Sequence, residues 1–246
     1  MKIDSFYERS EVIHEVVESE RSEICFDLIN NLASKETSNA TKSKVLDVGC
    51  GDGSFIIKLE KKCRIFGVDV SSRAVEMAKE AGVSAYKSDV SQEKLPFENE
   101  YFDLVYLGDL IEHLINPDFA INEVARVTKL NGFLIISTPN LASWLNRMLL
   151  VLGFQPLSSE VSTIRDFGRP RIHRERNYLP VGHLRLFTLL ALKEFLAYYG
   201  FRIVEVRGSG CELHSKMLDI IDNIFGQIPA LASIIIIVAR KDSSRS

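Results

Sequence analysis

The chain has 246 residues, 46% apolar and 26% charged, with a formal net charge of −3. That is the composition of an ordinary globular protein long enough to bury a substantial core, and its charge gives no electrostatic case for a nucleic-acid partner. The longest apolar run, Ile234 to Ala239, is far too short to span a bilayer. Cys25, Cys50, Cys63 and Cys211 are scattered, with no C-x-x-C pair and no histidine spacing suited to zinc. They read as reduced, mostly buried thiols, and no metal is expected. The N-terminus, MKIDSFYERSEVIHEVVESE, is acidic and lacks an apolar signal core, so the expected location is cytoplasmic.

Residues Phe6 to Leu32 carry Val12, Val16, Val17, Ile24, Leu28 and Ile29 at helical spacing, which predicts one or two amphipathic helices. A polar loop, Ser34 to Lys44, leads to the first strand. Strand-like segments then follow at Lys44–Val48, Arg64–Val68, Val83–Lys87, Phe102–Leu107 and Gly132–Ser137. Helical segments fall between them at Ser54–Lys61, Ser72–Ala81 and Asp118–Thr128. Such alternation predicts an α/β fold, a parallel sheet with crossover helices on both faces. After Ser137 the rhythm breaks: a helix over Leu141–Leu152 precedes an irregular, arginine-rich stretch. A helix at Thr188–Tyr199, a strand at Phe201–Arg207, a helix at Leu213–Phe225 and the strand SIIIIVARK complete the chain. That last strand is apolar on both faces, so it belongs inside the sheet. Spacing alone does not set its direction.

The segment VLDVGCGDGSF (Val45 to Phe55) is the most informative. A short apolar run gives way to Gly49, Gly51 and Gly53, with Asp47 just before them. Glycines at alternate positions suit a strand turning tightly into a helix, with bare backbone for a ligand to lie against. A dinucleotide fingerprint, G-x-G-x-x-G, fails because its third glycine position holds Ser54. Asp47 would repel a pyrophosphate but attract an ammonium or sulfonium, which points to S-adenosylmethionine. The competing reading is a structural turn with no ligand. Asp69, ending the second strand, can accept hydrogen bonds from both hydroxyls of a ribose; alone it would serve equally as an N-cap. Asp89, after the third strand, is placed for the exocyclic amine of adenine with Val90 against the ring; its alternative is a plain loop aspartate.

The ordered set VLDVGCGDGSF, GVDVS, KSDVSQEKLPFENEYFDLVYLGDLIEHLINP and NGFLIISTPN resembles the class I S-adenosylmethionine-dependent methyltransferase superfamily over Ser43 to Asn140. Within it, the chain is similar to the branch that includes quinone-biosynthesis O-methyltransferases and other small-molecule and glycan methyltransferases. The resemblance implies a Rossmann-like, seven-stranded, mostly parallel sheet whose last strand is antiparallel. It also places Asp47, Gly49 and Gly51 at the methionine end of the cofactor and Asp69 at the ribose, with Val70 a further cofactor-binding residue. Ser88, Asp89 and Val90 fall by the adenine, and Leu107, Gly108 and Asp109 form a floor near the sulfonium.

Methyl transfer from a sulfonium is an in-line displacement, so positioning supplies much of the acceleration. His113, in DLIEHL beside Glu112, is one candidate base for an acceptor hydroxyl; His183, in GHLRLFT, is a second. The frequency of the Glu-His pair across the superfamily argues for a structural or cofactor-side role. The chain reads as one domain over 1–246, with an N-terminal helical cap at 1–42 and a substrate-side insertion at 138–187. The stretch from Arg165 to Phe187 holds six arginines (Arg165, Arg169, Arg171, Arg174, Arg176, Arg185) against Asp166 and Glu175. Arginine forks suit phosphate or carboxylate, so Arg169, Arg171 and Arg185 become candidate contacts for an anionic small-molecule, glycan or lipid-linked acceptor; a solvated basic loop is the alternative. Trp144 is a further candidate, as part of a helix that either covers core or forms a lid over a lipid-like acceptor. The expected partners are that acceptor and a second copy of the chain, with oxygen the favoured methylation target. A cofactor-binding but catalytically silent partner protein is the competing class.

Overall fold

The computed structural model describes residues 19–35, 42–170, 180–211, 213 and 215–242. Seven strands, β1 (Ser43–Val48), β2 (Cys63–Asp69), β3 (Ser84–Lys87), β4 (Phe102–Gly108), β5 (Thr128–Pro139), β6 (Phe201–Ser209) and β7 (Ile234–Lys241), form one sheet in the order β3-β2-β1-β4-β5-β7-β6. Every pairing is parallel except those of β7, which runs antiparallel to both β5 and β6. The strand order reverses between β1 and β4, and in open α/β sheets ligands collect at the carboxyl ends of the strands flanking that reversal.

Strands covered on both faces need apolar side chains at successive positions. In β7, Ile235, Ile237 and Ala239 join one core cluster while Ile236 and Val238 join the other. That period-two division is the pleat itself, and it explains why SIIIIVARK shows no polar alternation. Helices α1 (Glu20–Lys35) and α2 (Ser72–Glu80) cover one face through Cys25, Ile29, Ala33, Val75 and Ala78. The other face is covered by α3 (Pro117–Val127), with Ile121 and Val124, and by the helix Leu189–Tyr198, with Leu192 and Leu196. Between those two lies α4 (Trp144–Val151), so Leu189–Tyr198 is α5; α6 (Lys216–Gly226) precedes β7. Side-chain caps start several of them: Ser71 accepts from the Ala74 N–H, Asn116 from Phe119, Ser143 from Asn146 and Thr188 from Ala191. Each such cap contributes about 1 kcal/mol.

Of the N-terminal helical expectation, α1 is present, while Val12, Val16 and Val17 lie outside the described residues. One expectation fails. Ser54–Lys61 is not an α-helix but a turn containing a short 3-10 helix, Ile56–Leu59. Its two buried residues, Ile56 and Leu59, are three apart, the spacing that a 3-10 turn brings onto one face. The same short span must also leave the glycine turn and return to β2. No helix among the described residues is long and apolar enough to cross a membrane.

Candidate functional site

The glycine turn is anchored to β2: the N–H groups of Gly49 and Cys50 both donate to the Val68 carbonyl, at 2.8 and 3.0 Å. Gly49, Gly51 and Gly53 have φ of 81°, 53° and 76°, a region that other residues enter only with strain. Their surroundings differ. A Cβ on Gly53 would come 2.8 Å from Val83 Cγ2 and 3.2 Å from Ala78 Cβ, so this glycine lets the turn pack against α2. A Cβ on Gly51 would meet nothing within 4 Å. Gly51 is therefore the open lip of the turn, bare backbone facing space that a ligand can fill.

Asp69 stands beside that lip. Its Oδ2 accepts from the Gly51 N–H at 3.0 Å and its Oδ1 from the Ser71 N–H at 2.8 Å. A carboxylate has about four acceptor positions, so a ribose diol can still be received. Burial pushes Asp69 above the usual carboxylate range, against the opposing pull of the Ser71 and Gly51 N–H groups. Asp47 is buried at the end of β1, and burial followed by the Asp69 charge raises it to about 8. A cationic group placed there would favour its ionised form.

Ser88 is buried, and its Oγ has no hydrogen-bond partner among the described residues. Val90, two residues on, is also buried. Asp89 is already engaged within its own turn, accepting from the Ser91 N–H at 2.9 Å and from Gln92 Nε2 at 2.6 Å. As at Asp69, a carboxylate so engaged keeps acceptor positions open, so these bonds are compatible with both the loop-aspartate and the adenine-side readings of Asp89. Val70 is half-buried next to Asp69.

At the end of β4, Leu107 is fully buried within the core that α3 and α5 cover. A side chain at Gly108 would collide with the Tyr106 hydroxyl, so this glycine makes room for a buried tyrosine. Asp109 has φ 45°, rare for a residue with a side chain. It is held on several sides. Its N–H approaches the Ser137 carbonyl and Oγ, its Oδ1 accepts from the Ser137 hydroxyl at 2.8 Å, and its Oδ2 pairs with Arg21 of α1 at 3.1 Å. Leu110 then packs over the glycine turn, 3.1 Å from where a Gly49 Cβ would stand. Arg21, Ser137 and Leu110 were not among the predicted site residues. For Arg21 no local motif exists, since it lies far from the strands it serves.

The two candidate bases come together. The rings of His113 and His183 have centroids 4.8 Å apart, and Glu112 lies directly beside His113 in the chain. Burial and the neighbouring His183 depress His113 to about 4, so at neutral pH it is an uncharged imidazole. Glu112 is 1% exposed, and burial, then the Asp109 charge, raises its carboxyl above the ordinary range. The loop bearing His183 is fixed by Glu160, whose carboxylate accepts from the N–H groups of Val181, Gly182 and His183. The Leu184 and Arg185 N–H groups donate to the Glu112 carbonyl at 2.8 and 2.9 Å.

The acceptor-side candidates are not gathered in the same way. Trp144 is buried, donates from Nε1 to Asp222 Oδ1 at 2.6 Å and stacks on Phe225. It pins α4 to α6, while Met148, Leu150 and Val151 are exposed apolar side chains of α4. Arg169 pairs with Asp166 at 3.1 Å, and Arg185 donates to the Ile115 carbonyl. Arg171 lies outside the described residues.

The open lip at Gly51, the two carboxylates Asp47 and Asp69, and the unpartnered Ser88 hydroxyl fit a ligand with a cationic amino-acid end, a ribose and a hydrogen-bonding base. Comparison with known proteins agrees. A family model described as "Methyltransferase domain" matches residues 17–206. Ubiquinone biosynthesis O-methyltransferase of Bartonella bacilliformis is 29% identical over 115 residues, covering 45% of this chain and 46% of that protein. The Pelagibacter ubique protein of the same name is 33% identical over 104 residues, 39% of this chain and 42% of that protein. The match thus spans about half the length of these curated relatives. Among solved structures, a SAM-dependent methyltransferase from Archaeoglobus fulgidus superposes with a TM-score of 0.56 at 19% identity, covering 89% of this chain and 94% of that one. A possible histamine N-methyltransferase from Thermotoga maritima gives 0.55 at 18%, covering 90% and 95%. These structures share the fold.

Proposed function

The chain belongs to the methyltransferase-domain family and has the class I fold, and on that premise we propose that it transfers a methyl group from S-adenosylmethionine to a hydroxyl of a small-molecule, glycan or lipid-linked acceptor. The observation that carries this reading is the convergence of Asp47, the open Gly51 lip, Asp69 and Ser88 at the carboxyl ends of β1 to β3. The bound cofactor supplies an electrophilic methyl on a sulfonium. The chain's own part is to hold it. Asp69 takes the ribose hydroxyls, Ser88 supplies a hydroxyl to the base, and Asp47 faces the positive end.

Oxygen as the target is supported by the relatives named as ubiquinone biosynthesis O-methyltransferases. His113 is uncharged at neutral pH and so able to accept a proton from an acceptor hydroxyl, but a value lowered to about 4 makes it a weak base. An acceptor with an apolar portion is supported by the exposed Met148, Leu150, Val151 and Phe154, which follow the carboxyl end of β5. The test is turnover with a panel of hydroxylated acceptors, read as S-adenosylhomocysteine released. Acceptor-dependent release that His113→Ala slows supports the reading. Binding of S-adenosylmethionine with no release for any acceptor class would replace it with a cofactor-binding partner protein.

A further inference from the structure

We propose that the outer face of α4 and α6 is the interface of a symmetric dimer, its occupant a second copy of this chain. The burial of α6 is reversed. Its buried residues are Asp222 and Gly226, whereas Met217, Ile220 and Ile224, with Ile228 just past its end, are between 49% and 68% exposed. Their spacing of three, four and four residues lines them along one side of a helix. A surface helix normally turns such a stripe towards the core; here the stripe points to solvent.

The inner side of α6 is fixed by polar and close-packed contacts. Asp222 accepts from Trp144 Nε1, the Ser233 hydroxyl and the Cys211 N–H. A Cβ on Gly226 would stand 2.9 Å from the Gly210 nitrogen. Rolling the apolar stripe inward would strip a buried carboxylate of its three donors, so the stripe stays outside.

The face continues onto α4, which Trp144 joins to α6 by stacking on Phe225. There Met148, Val151 and the following Leu152 are between 53% and 87% exposed. Together these side chains expose on the order of 800 Å2, above the roughly 300–600 Å2 of the largest apolar patch on a typical monomer. It matches the ~800 Å2 that each partner contributes to a standard-size interface.

Charge selects the occupant. A helix that lies on a membrane carries lysines and arginines along its polar face; α6 has Lys216 alone, against Asp219 and Asp222. An antiparallel α6 pair about a two-fold axis is self-complementary. It sets Ile220 of one copy against Ile224 of the other, and Met217 against Ile228. Each Lys216 then meets the C-terminal end of the opposite helix, where free carbonyls carry partial negative charge. Met148 and Val151 also follow the carboxyl end of β5, so the second copy borders the acceptor side. That consequence rests on the methyl-transfer reading; the dimer does not.

The test is sedimentation velocity of the full chain from low to high micromolar concentration, for wild type, Ile220→Glu and Ile224→Lys, with S-adenosylmethionine binding measured alongside. The expected result is a wild-type dimer, with association at least about tenfold weaker in either variant. Mixing the two variants restores it, because the introduced carboxylate of one faces the introduced ammonium of the other. Unchanged cofactor affinity shows that the variants are folded. Wild type that stays monomeric, or a dimer that neither substitution weakens, overturns the interface, and a mixture that does not re-associate overturns the antiparallel pairing. Monomeric wild type that binds phosphatidylglycerol vesicles, with binding lost in both variants, gives the face to a lipid surface instead. A dimer that binds no S-adenosylmethionine upholds the interface and removes the methyl-transfer reading.

Discussion

At the carboxyl ends of β1 to β3 the cleft is largely backbone, with glycines in left-handed conformations and carboxylates at or within two residues of a strand end. At the ends of β4 and β5 it is made of side chains drawn from distant segments. Asp109 is held there by Arg21 of α1 and Ser137 of β5, and His113 faces His183, which lies within the 138–187 stretch. The difference teaches where specificity can change. A backbone cradle must keep its glycines to keep its ligand. The assembled half can exchange side chains, and with them acceptors, without disturbing the sheet.

The sharpest way to break this comparison is within the glycine turn. Gly53→Ala should destabilise the fold, combining left-handed strain of about 1–2 kcal/mol with crowding of about 1–3 kcal/mol against Val83 and Ala78. Gly51→Ala carries the strain but no crowding, and it should lose cofactor binding while still folding. Denaturation midpoints set against calorimetric affinity separate the two. Equal effects of both variants on both readouts would remove the distinction between packing glycine and cradle glycine.

Asp69→Ala should weaken S-adenosylmethionine binding at least about tenfold, since hydrogen bonds to a charged group contribute about 1.5–3 kcal/mol each. Trp144→Phe tests the other half. It removes the bond to Asp222, which keeps Ser233 and the Cys211 N–H as partners. A loss of about 1–2 kcal/mol in denaturation, with cofactor affinity unchanged, is expected.

A pH-dependent effect concerns Asp47, which lies near Asp69, with the Cys50 thiol and the buried Tyr106 also near it. Its folded-state value of about 8 lies above its unfolded value of about 3.9. Between those values the native state holds the extra proton, so Asp47's contribution makes stability fall as pH rises through that window. Asp47→Asn should flatten that slope and raise stability near pH 8, while weakening cofactor binding. A slope identical to that of wild type in urea melts across the window would contradict the assignment.

Legibility in the sequence follows the same division. Strands and cofactor residues could be read because backbone-led features are contiguous: Asp47, Gly49 and Gly51 sit within five residues, and β7 announces its burial through unbroken isoleucines. Its antiparallel direction came through resemblance, because spacing does not encode direction. The short 3-10 turn at Ile56–Leu59 was missed because an apolar pair three apart fits either helix type. The Glu112–His113 pair and His183 are each legible, but nothing local says that a histidine after β4 and one seventy residues on share one place. Arg21 and Glu160 were invisible for the same reason. Trp144 read as a lid candidate, and only its partner Asp222, far along the chain, shows what holds it.

The most direct measurement of the central claim is calorimetric titration of wild type and Asp69→Ala with S-adenosylmethionine and, in parallel, NAD. The account predicts micromolar binding of S-adenosylmethionine, weakened by the substitution, and none of NAD. Binding of neither ligand by folded wild type, or S-adenosylmethionine affinity indifferent to Asp69, would contradict it.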